Sequence, residues 1–508
     1  MLGFFKQMDA KRDSIKDIWF YFPIFILGAY LIIRLINQSQ MLWTFPLDSK
    51  NDTPTYIIFL YWLKVYGYHG FVPQWLNGFI LFDVYPPGWV FSAYPIYLLT
   101  NDLLYTAYIS LIINYAIAAV VIYLFGRSQR MSFAKLTAFF ALFFISPMAV
   151  GDFIKQGRMP EMLAWLLFLA LSAIVFYYKD KKTDWKFLWC APLYAALIIT
   201  HHVELILFSF VVLGLLLTRK NIKEISMILI TFIFGVLLSS FWLITFLRRL
   251  NDTAILGVNF GKWLLDFSGG FQLGNIALIA MPLAMLLVFY FYWMSHNFSK
   301  RELLFFSPAL ILSVLVLFRL TLFIPILKNV YPDPYQLFIM LFTTYFFLKT
   351  RYEHISKRIK NIAIIVLILL PVMFITVSML HTPWFVRHSP LSEEMISILP
   401  EIDGKFITLG PFPPDDAFQA SLTAYGSIYF GLESSAGYNY VQANPEHWNN
   451  ILELGQSVIK EDCNEIRNLL EKTKTTDVLA YEKTCGLMDS CGLYKKIKKE
   501  HFCLYQTK

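Results

Sequence analysis

From Ile18 to Leu380 the apolar residues fall in long runs separated by short polar stretches. Many of the runs are near the ~20 residues that an α-helix needs to cross a bilayer. They predict eleven crossings, at 18–38, 103–125, 134–150, 160–178, 187–200, 202–218, 225–247, 275–294, 303–323, 336–349 and 361–380. A shorter apolar stretch from Pro86 to Leu99 is expected to dip into the membrane. After residue 380 the pattern becomes that of a soluble domain: KFITLG (405–410), DVLAY (477–481) and FCLYQ (502–506) read as strands, and 450–474 has helical periodicity. The predicted fold class is an α-helical polytopic membrane protein (1–380) with a C-terminal extracytoplasmic α/β domain (381–508).

The polar connections set an orientation. KQMDAKRDSIK, Arg127/Arg130, KDKKTDWK, RKNIK, SKRE and KTRYEHISKRIK occupy alternate connections and are rich in Lys and Arg, which marks them as cytoplasmic. The amino terminus is then inside, and an odd number of spans puts the C-terminal domain outside. The first span has no small-residue cleavage site after it and reads as a retained anchor. Both flanks of 187–218 are basic, so Thr200-His201-His202 is the outer turn between two short spans.

Composition agrees. Of 508 residues 57% are hydrophobic and only 15% charged, against about 25% charged in an average soluble domain. The net charge of +8 is spread over many short loops, which reads as membrane topology and excludes a nucleic-acid footprint. Four of the five cysteines (Cys463, Cys485, Cys491, Cys503) lie in the C-terminal domain and suggest two disulfides, with three connectivities open. A zinc site is not expected, because no CxxC pair is present.

Candidate chemistry gathers on the predicted outer face. The first outer loop (39–100), with its aromatic stretch 48–89, holds Asp48, Lys50, Asp52, His69, Asp83 and Tyr85, and suits a segment in the membrane interface. Later outer loops add Asp152, Lys155, Arg158 and Glu161; His201, His202 and Glu204; Arg248, Arg249, Asp252, Lys262 and Asp266; and Lys328, Asp333, Tyr335 and Gln336. Ionisable groups at membrane depth are costly unless paired or solvated, so one shared cavity would account for several together. The chemistry that fits is group transfer from a lipid phosphate. Asp52, Asp48, Asp152 or Glu161 would deprotonate or orient an acceptor hydroxyl. Arg158, His201, His202, Arg248, Arg249, Tyr335 and Gln336 would hold the substrate. A divalent cation (Mg or Mn) on Asp48, Asp52 and Asp152 is an optional addition. Simpler readings stand beside these: Thr53 and Pro54 make a good helix start, Arg248 and Arg249 can anchor to lipid head groups, and YPDPY is a strong turn.

Several segments carry a family resemblance: NDTPTYI, the run Trp75, Gly78, Tyr85, Pro86, Pro87, GRMPEMLA at 157–164, TH at 200–201, and PDPYQLFIM. With an acidic residue after the first span and a second acidic loop after the third, the chain resembles the GT-C superfamily of membrane glycosyltransferases. It is more closely similar to the membrane proteins labelled "6-pyruvoyl-tetrahydropterin synthase-related", a label that implies no pterin chemistry. The resemblance implies that Asp52 or Asp48 is the first-loop catalytic acid and Asp152 or Glu161 the second. It implies a sugar donor on a polyprenyl or dolichyl phosphate. The C-terminal domain lacks a WWD-type signature, which counts against transfer to a sequon, and Gln336 stands where related proteins often carry Arg.

The expectation is an inverting glycosyltransferase of the plasma membrane. Its partners would be a lipid-linked sugar donor, membrane lipids and an acceptor that is a glycan, lipid or protein. A flippase of lipid-linked sugars would need polar groups reaching both faces, and a non-catalytic scaffold would leave the one-sided carboxylates without a role.

Overall fold

The computed structural model describes residues 18–47, 52–249, 273–296, 299–351, 388–410, 416–437 and 442–507. Asp48, Lys50, Asp252, Lys262, Asp266 and the expected last span at 361–380 lie outside them. The protein is mostly helical, with a small mixed sheet near its C-terminus. Every predicted span among the described residues is largely helical, with breaks inside 134–150, 225–247 and 303–323. By length and apolarity, however, only four of the described helices can cross a membrane unaided: Tyr21–Leu42, Leu103–Ser128, Met159–Tyr178 and Leu278–Ser295. Two bent pairs raise this to six, below the ten that the hydropathy pattern predicts within the described residues. The helices Cys190–Thr200 and His202–Leu217 are too short to span unaided.

The two bends redirect polar residues. Phe133–Phe144 and Pro147–Lys155 meet at 46°, where Pro147 opens a new helix and Ser146 caps it by accepting from the Ala149 amide. The second half ends in a π-helical turn, Gly151–Lys155, which carries Asp152. Ile222–Leu238 and Ser240–Arg249 meet at 75°, so the expected straight span 225–247 is two helices. Trp242 Nε1 donates to the Phe82 carbonyl at 2.9 Å and ties the second of them to the first loop.

The first loop contains a helix, Thr53–Tyr66, a two-stranded hairpin of β1 (Phe71–Val72) and β2 (Phe79–Ile80), and a helix Gly88–Thr100. Thr53 through Leu60 are all buried within the protein, as an all-round apolar helix must be. Asp416–Phe430 of the C-terminal region packs against it. Loop residues such as Ile57, Trp62, Trp75 and Phe82 share one apolar core with Met395, Phe406, Leu422 and Leu504.

In the C-terminal sheet the order is β3 (Phe406–Leu409), β4 (Asp477–Tyr481), β6 (Phe502–Gln506), β5 (Tyr494–Lys498). β3 pairs parallel to β4, and the other pairs are antiparallel. Three of these strands match the expected ones. The predicted helix at 450–474 is split into Pro445–Lys460 and Cys463–Lys472, because Glu461 takes a left-handed φ of 58° and Asp462 caps the second helix. Disulfides join Cys463 to Cys491 and Cys485 to Cys503. Two disulfides suit an extracytoplasmic domain.

Candidate functional site

Arg158 is the hub of the polar cluster. Its Nη1 donates to Asp333 Oδ2 at 2.8 Å and stands 3.6 Å from Glu161 Oε2 and 3.7 Å from Asp152 Oδ1. The guanidinium lies over the Tyr331 ring, 4.7 Å from its centroid, and the Tyr331 hydroxyl donates to Glu161 Oε2 at 2.9 Å. Asp152, Glu161 and Glu204 are 3%, 1% and 0% exposed. One oxygen of each (Asp152 Oδ2, Glu161 Oε1, Glu204 Oε1) is buried with no hydrogen-bond partner. Such orphaned acceptors are costly, which is typical of a site kept for a ligand or a proton.

Asp52 joins this cluster through its backbone. Its N–H donates to the Gln156 carbonyl at 2.8 Å, locking the first loop onto the second. The helix begins at Thr53 with Asp52, not Thr53, at the cap position, and the Asp52 carboxylate does not cap it. The helix start therefore makes no use of that side chain. Gly157 makes the junction possible: its φ is +65°, and a Cβ there would lie 2.2 Å from Thr53 Oγ1. A second close approach holds the opposite wall. A Cβ on Gly88 would lie 2.3 Å from Thr200 Oγ1, so the YPPG segment packs directly against the residue before His201.

His201 bridges its two short helices in extended conformation. Its Nδ1 hydrogen-bonds Glu204 Oε2. Burial pushes the imidazole down to about 4, against the opposing pull of Glu161 and Asp52, so it is neutral at pH 7. Tyr85 donates to the Tyr56 hydroxyl at 3.1 Å. Burial raises its phenol, and the charges of Asp52, Glu161 and Arg158 all act on it. Asp52, Tyr85, Arg158, Glu161 and His201 thus share one electrostatic neighbourhood. His202 stacks on His201 at 5.4 Å between ring centroids.

Other expected site residues stand elsewhere. Tyr335 is fully buried and its hydroxyl donates to the Leu327 carbonyl at 2.8 Å, so it serves the fold. Gln336 is 5% exposed, inside the packed helix Pro332–Lys349. In that segment it is Asp333 that reaches Arg158. Arg249 pairs with Asp83 at 3.3 Å, and Arg248 lines a cavity beside that pair, because the bend after Leu238 carries both arginines there. Sequence pattern does not single out Tyr331, and it gives Glu204 no role beyond an outer-face position. A signal for Tyr331 does exist in Pro332 and Pro334, which start a helix and fix the direction of its first turn.

Orphaned carboxylate oxygens are the donor chemistry of a hard cation. The spacing is less favourable: among the described residues the one group of three ligand atoms within 4.8 Å of each other is Glu394, Glu500 and His501, in the C-terminal domain.

No protein-family model and no curated protein sequence matches the chain. Solved structures do. The arabinofuranosyltransferase AftD from Mycobacteria superposes with a TM-score of 0.58 at 12% identity, covering 95% of this chain and 40% of its own. An oligosaccharyltransferase from Archaeoglobus fulgidus, tethered to an acceptor peptide, gives 0.55 at 11% identity, covering 96% of this chain and 74% of its own. The oligosaccharyltransferase AglB of the same organism, in complex with an inhibitory peptide and a dolichol-phosphate, gives 0.51 at 12%, covering 90% and 69%. This chain therefore spans well under half the length of the arabinofuranosyltransferase. The narrower kinship with the "6-pyruvoyl-tetrahydropterin synthase-related" proteins rests on sequence motifs alone. Over most of its length, the chain has the fold of GT-C membrane glycosyltransferases.

Proposed function

We propose that this protein is an integral membrane glycosyltransferase that moves a sugar from a polyprenyl or dolichyl phosphate to an acceptor hydroxyl, with inversion. One observation carries the reading. Five segments far apart in sequence (52–56, 85–88, 152–161, 200–204 and 331–333) converge on one buried acidic cluster. A scaffold would gain nothing from burying carboxylate oxygens without partners.

In this reading Asp52 is the base. Its carboxylate takes the proton of the acceptor hydroxyl as that oxygen bonds to the anomeric carbon. The bond from that carbon to the phosphate oxygen breaks, and the lipid phosphate leaves with the electron pair. With the Glu204 carboxyl donating to Nδ1, His201 carries its one proton on Nε2 and would donate it to the leaving phosphate. Glu161 and Asp152 fix Arg158, and Tyr331 fixes Glu161, so the charge pattern is set before substrate arrives. A divalent cation, where bound, would be held by Asp52 and Asp152 and would neutralise phosphate charge. The plasma membrane is the proposed location, with the C-terminal domain outside.

The test is transfer of radiolabelled sugar from polyprenyl phosphate in membranes, comparing wild type with Asp52→Asn at matched protein levels. Asn keeps the size and the backbone bond to Gln156. Transfer is expected to fall roughly 100-fold or more, the scale of a general base. Equal transfer would remove Asp52 from the mechanism.

A further inference from the structure

A cavity lies between the hairpin of the first loop and the C-terminal domain. Its volume is about 620 Å³, and Phe71, Phe79, Asp83, Arg249, Gln442 and Asn444 are among the residues that line it. A neighbouring space of about 460 Å³ shares Ile80, Asp83 and Arg249 with it. The larger volume is in the range of small-molecule sites, about 300–1,000 Å³.

The lining says what the cavity would hold. Both amide atoms of Gln442, Oε1 and Nε2, are buried with no hydrogen-bond partner. An amide in that state waits for a group that both donates and accepts, and a hydroxyl does both. Asn444 spends its side-chain oxygen on capping, accepting from Glu446 N at 2.9 Å and His447 N at 3.4 Å, and keeps its NH₂ as a donor. Asp83 and Arg249 pair at 3.3 Å, so among the described residues that line the larger cavity the charges balance, and Arg248 lines only the smaller space. Phe71 is 57% exposed, and its ring covers Gly78, where a Cβ would lie 2.2 Å from the ring edge. An open aromatic face beside unpaired donors and acceptors suits a sugar ring, which has apolar faces and a polar rim.

The chain links the cavity to the acidic cluster: Asp83 lines it, and Tyr85, two residues on, feels the charges of Asp52, Glu161 and Arg158. Two extended residues span at most about 7 Å. The cavity is held rigid by the C-terminal domain: Lys405 Nζ donates to Asn77 Oδ1 at 2.9 Å, Asn77 Nδ2 to the Thr473 carbonyl at 3.1 Å, and Ser434 N to the Gln74 carbonyl at 2.6 Å.

We propose that this cavity binds the acceptor and that the acceptor is an uncharged glycan chain. The inference rests on the transfer reading above and names the substrate on its other side. It explains the role of the C-terminal domain, which supplies Gln442 and Asn444.

The test uses the purified full chain in detergent and saturation-transfer NMR. The probes are arabino-, manno-, galacto- and gluco-pentaoses and the capped peptide Asn-Val-Thr. At least one pentaose is expected to bind, with affinity at least tenfold weaker in Phe71→Ala and in Gln442→Leu. Phe71 is half exposed, so an unchanged melting temperature checks that its variant is folded. Binding of no pentaose, binding unchanged in both cavity variants, or binding of the peptide alone would overturn the proposal. A protein that transfers sugar but binds no pentaose loses this inference and keeps the transfer reading. One that binds a pentaose here but transfers no sugar loses the transfer reading, and with it the assignment of this ligand as acceptor.

Discussion

Replacing Arg158 by Met removes the cation that faces Asp152, Glu161 and Asp333 and keeps an apolar stem of similar length. The loss divides unequally. The hydrogen bond to Asp333 is the shortest contact, but the Asp333 side chain is 29% exposed and water takes over part of its partner's role. Glu161 and Asp152 are farther away, with side chains only 1% and 5% exposed, so nothing replaces the guanidinium for them. Removing one partner from a buried ion pair costs about 3–5 kcal/mol, whereas an exposed pair is worth about 0–1 kcal/mol. The lower end, about 3 kcal/mol, fits a cluster whose guanidinium side chain is itself 19% exposed. An unfolding entropy of roughly 2.1 cal/mol/K per residue turns that into about 3 °C for a chain of 508 residues. The assay is scanning fluorimetry on intrinsic tryptophan in detergent. Adding Glu161→Gln removes one stranded carboxylate and should recover part of the loss. If Arg158→Met leaves the melting temperature unchanged, the guanidinium does not hold the cluster together. The same conclusion follows if the double variant drops further by as much as Glu161→Gln alone.

Gly157→Ala should lower stability by about 1–3 kcal/mol and reduce transfer, because the new methyl meets Thr53 and displaces the loop bonded to Asp52. Thr53→Ala should restore part of both, and wild-type behaviour of Gly157→Ala would contradict the close approach. Mn²⁺ should raise the melting temperature if the orphaned carboxylate oxygens hold a cation. At 100 times its Kd the gain is about 2.7 kcal/mol, and Asp152→Asn should abolish it. An equal shift in both proteins would place the ion elsewhere.

Local pattern and tertiary context divide what the sequence reveals. β4 and β6 are legible because their residues are almost all buried and apolar. β5, YKKIK, escapes notice because an edge strand carries partly exposed lysines and has no apolar run. A shared site for the acidic outer loops is expected from the cost of ionisable groups at membrane depth, but the close approaches of Gly157 to Thr53 and Gly88 to Thr200 are not legible. Nor is the bend after Leu238, since the helix breaks at Ser239 with neither proline nor glycine at the break. That hidden bend is why Arg249 stands against Asp83 with Arg248 beside it. The protein cover of the first-loop helix is not legible, because Asp416–Phe430, which packs on it, lies some 350 residues away in sequence. Tyr335 looks available because nothing local shows that the Leu327 carbonyl will take its hydroxyl.

Lipid-phosphate sugar transfer is tested most plainly with the purified wild-type chain in nanodiscs. Polyprenyl-phosphate-linked arabinose, mannose and glucose are offered with the pentaoses. Free polyprenyl phosphate and the anomeric configuration of the product are measured together by mass spectrometry and NMR. Inverting transfer predicts one lipid phosphate released per sugar transferred, with the configuration at the anomeric carbon inverted. No release from any of these donors, or transfer with retained configuration, would contradict it.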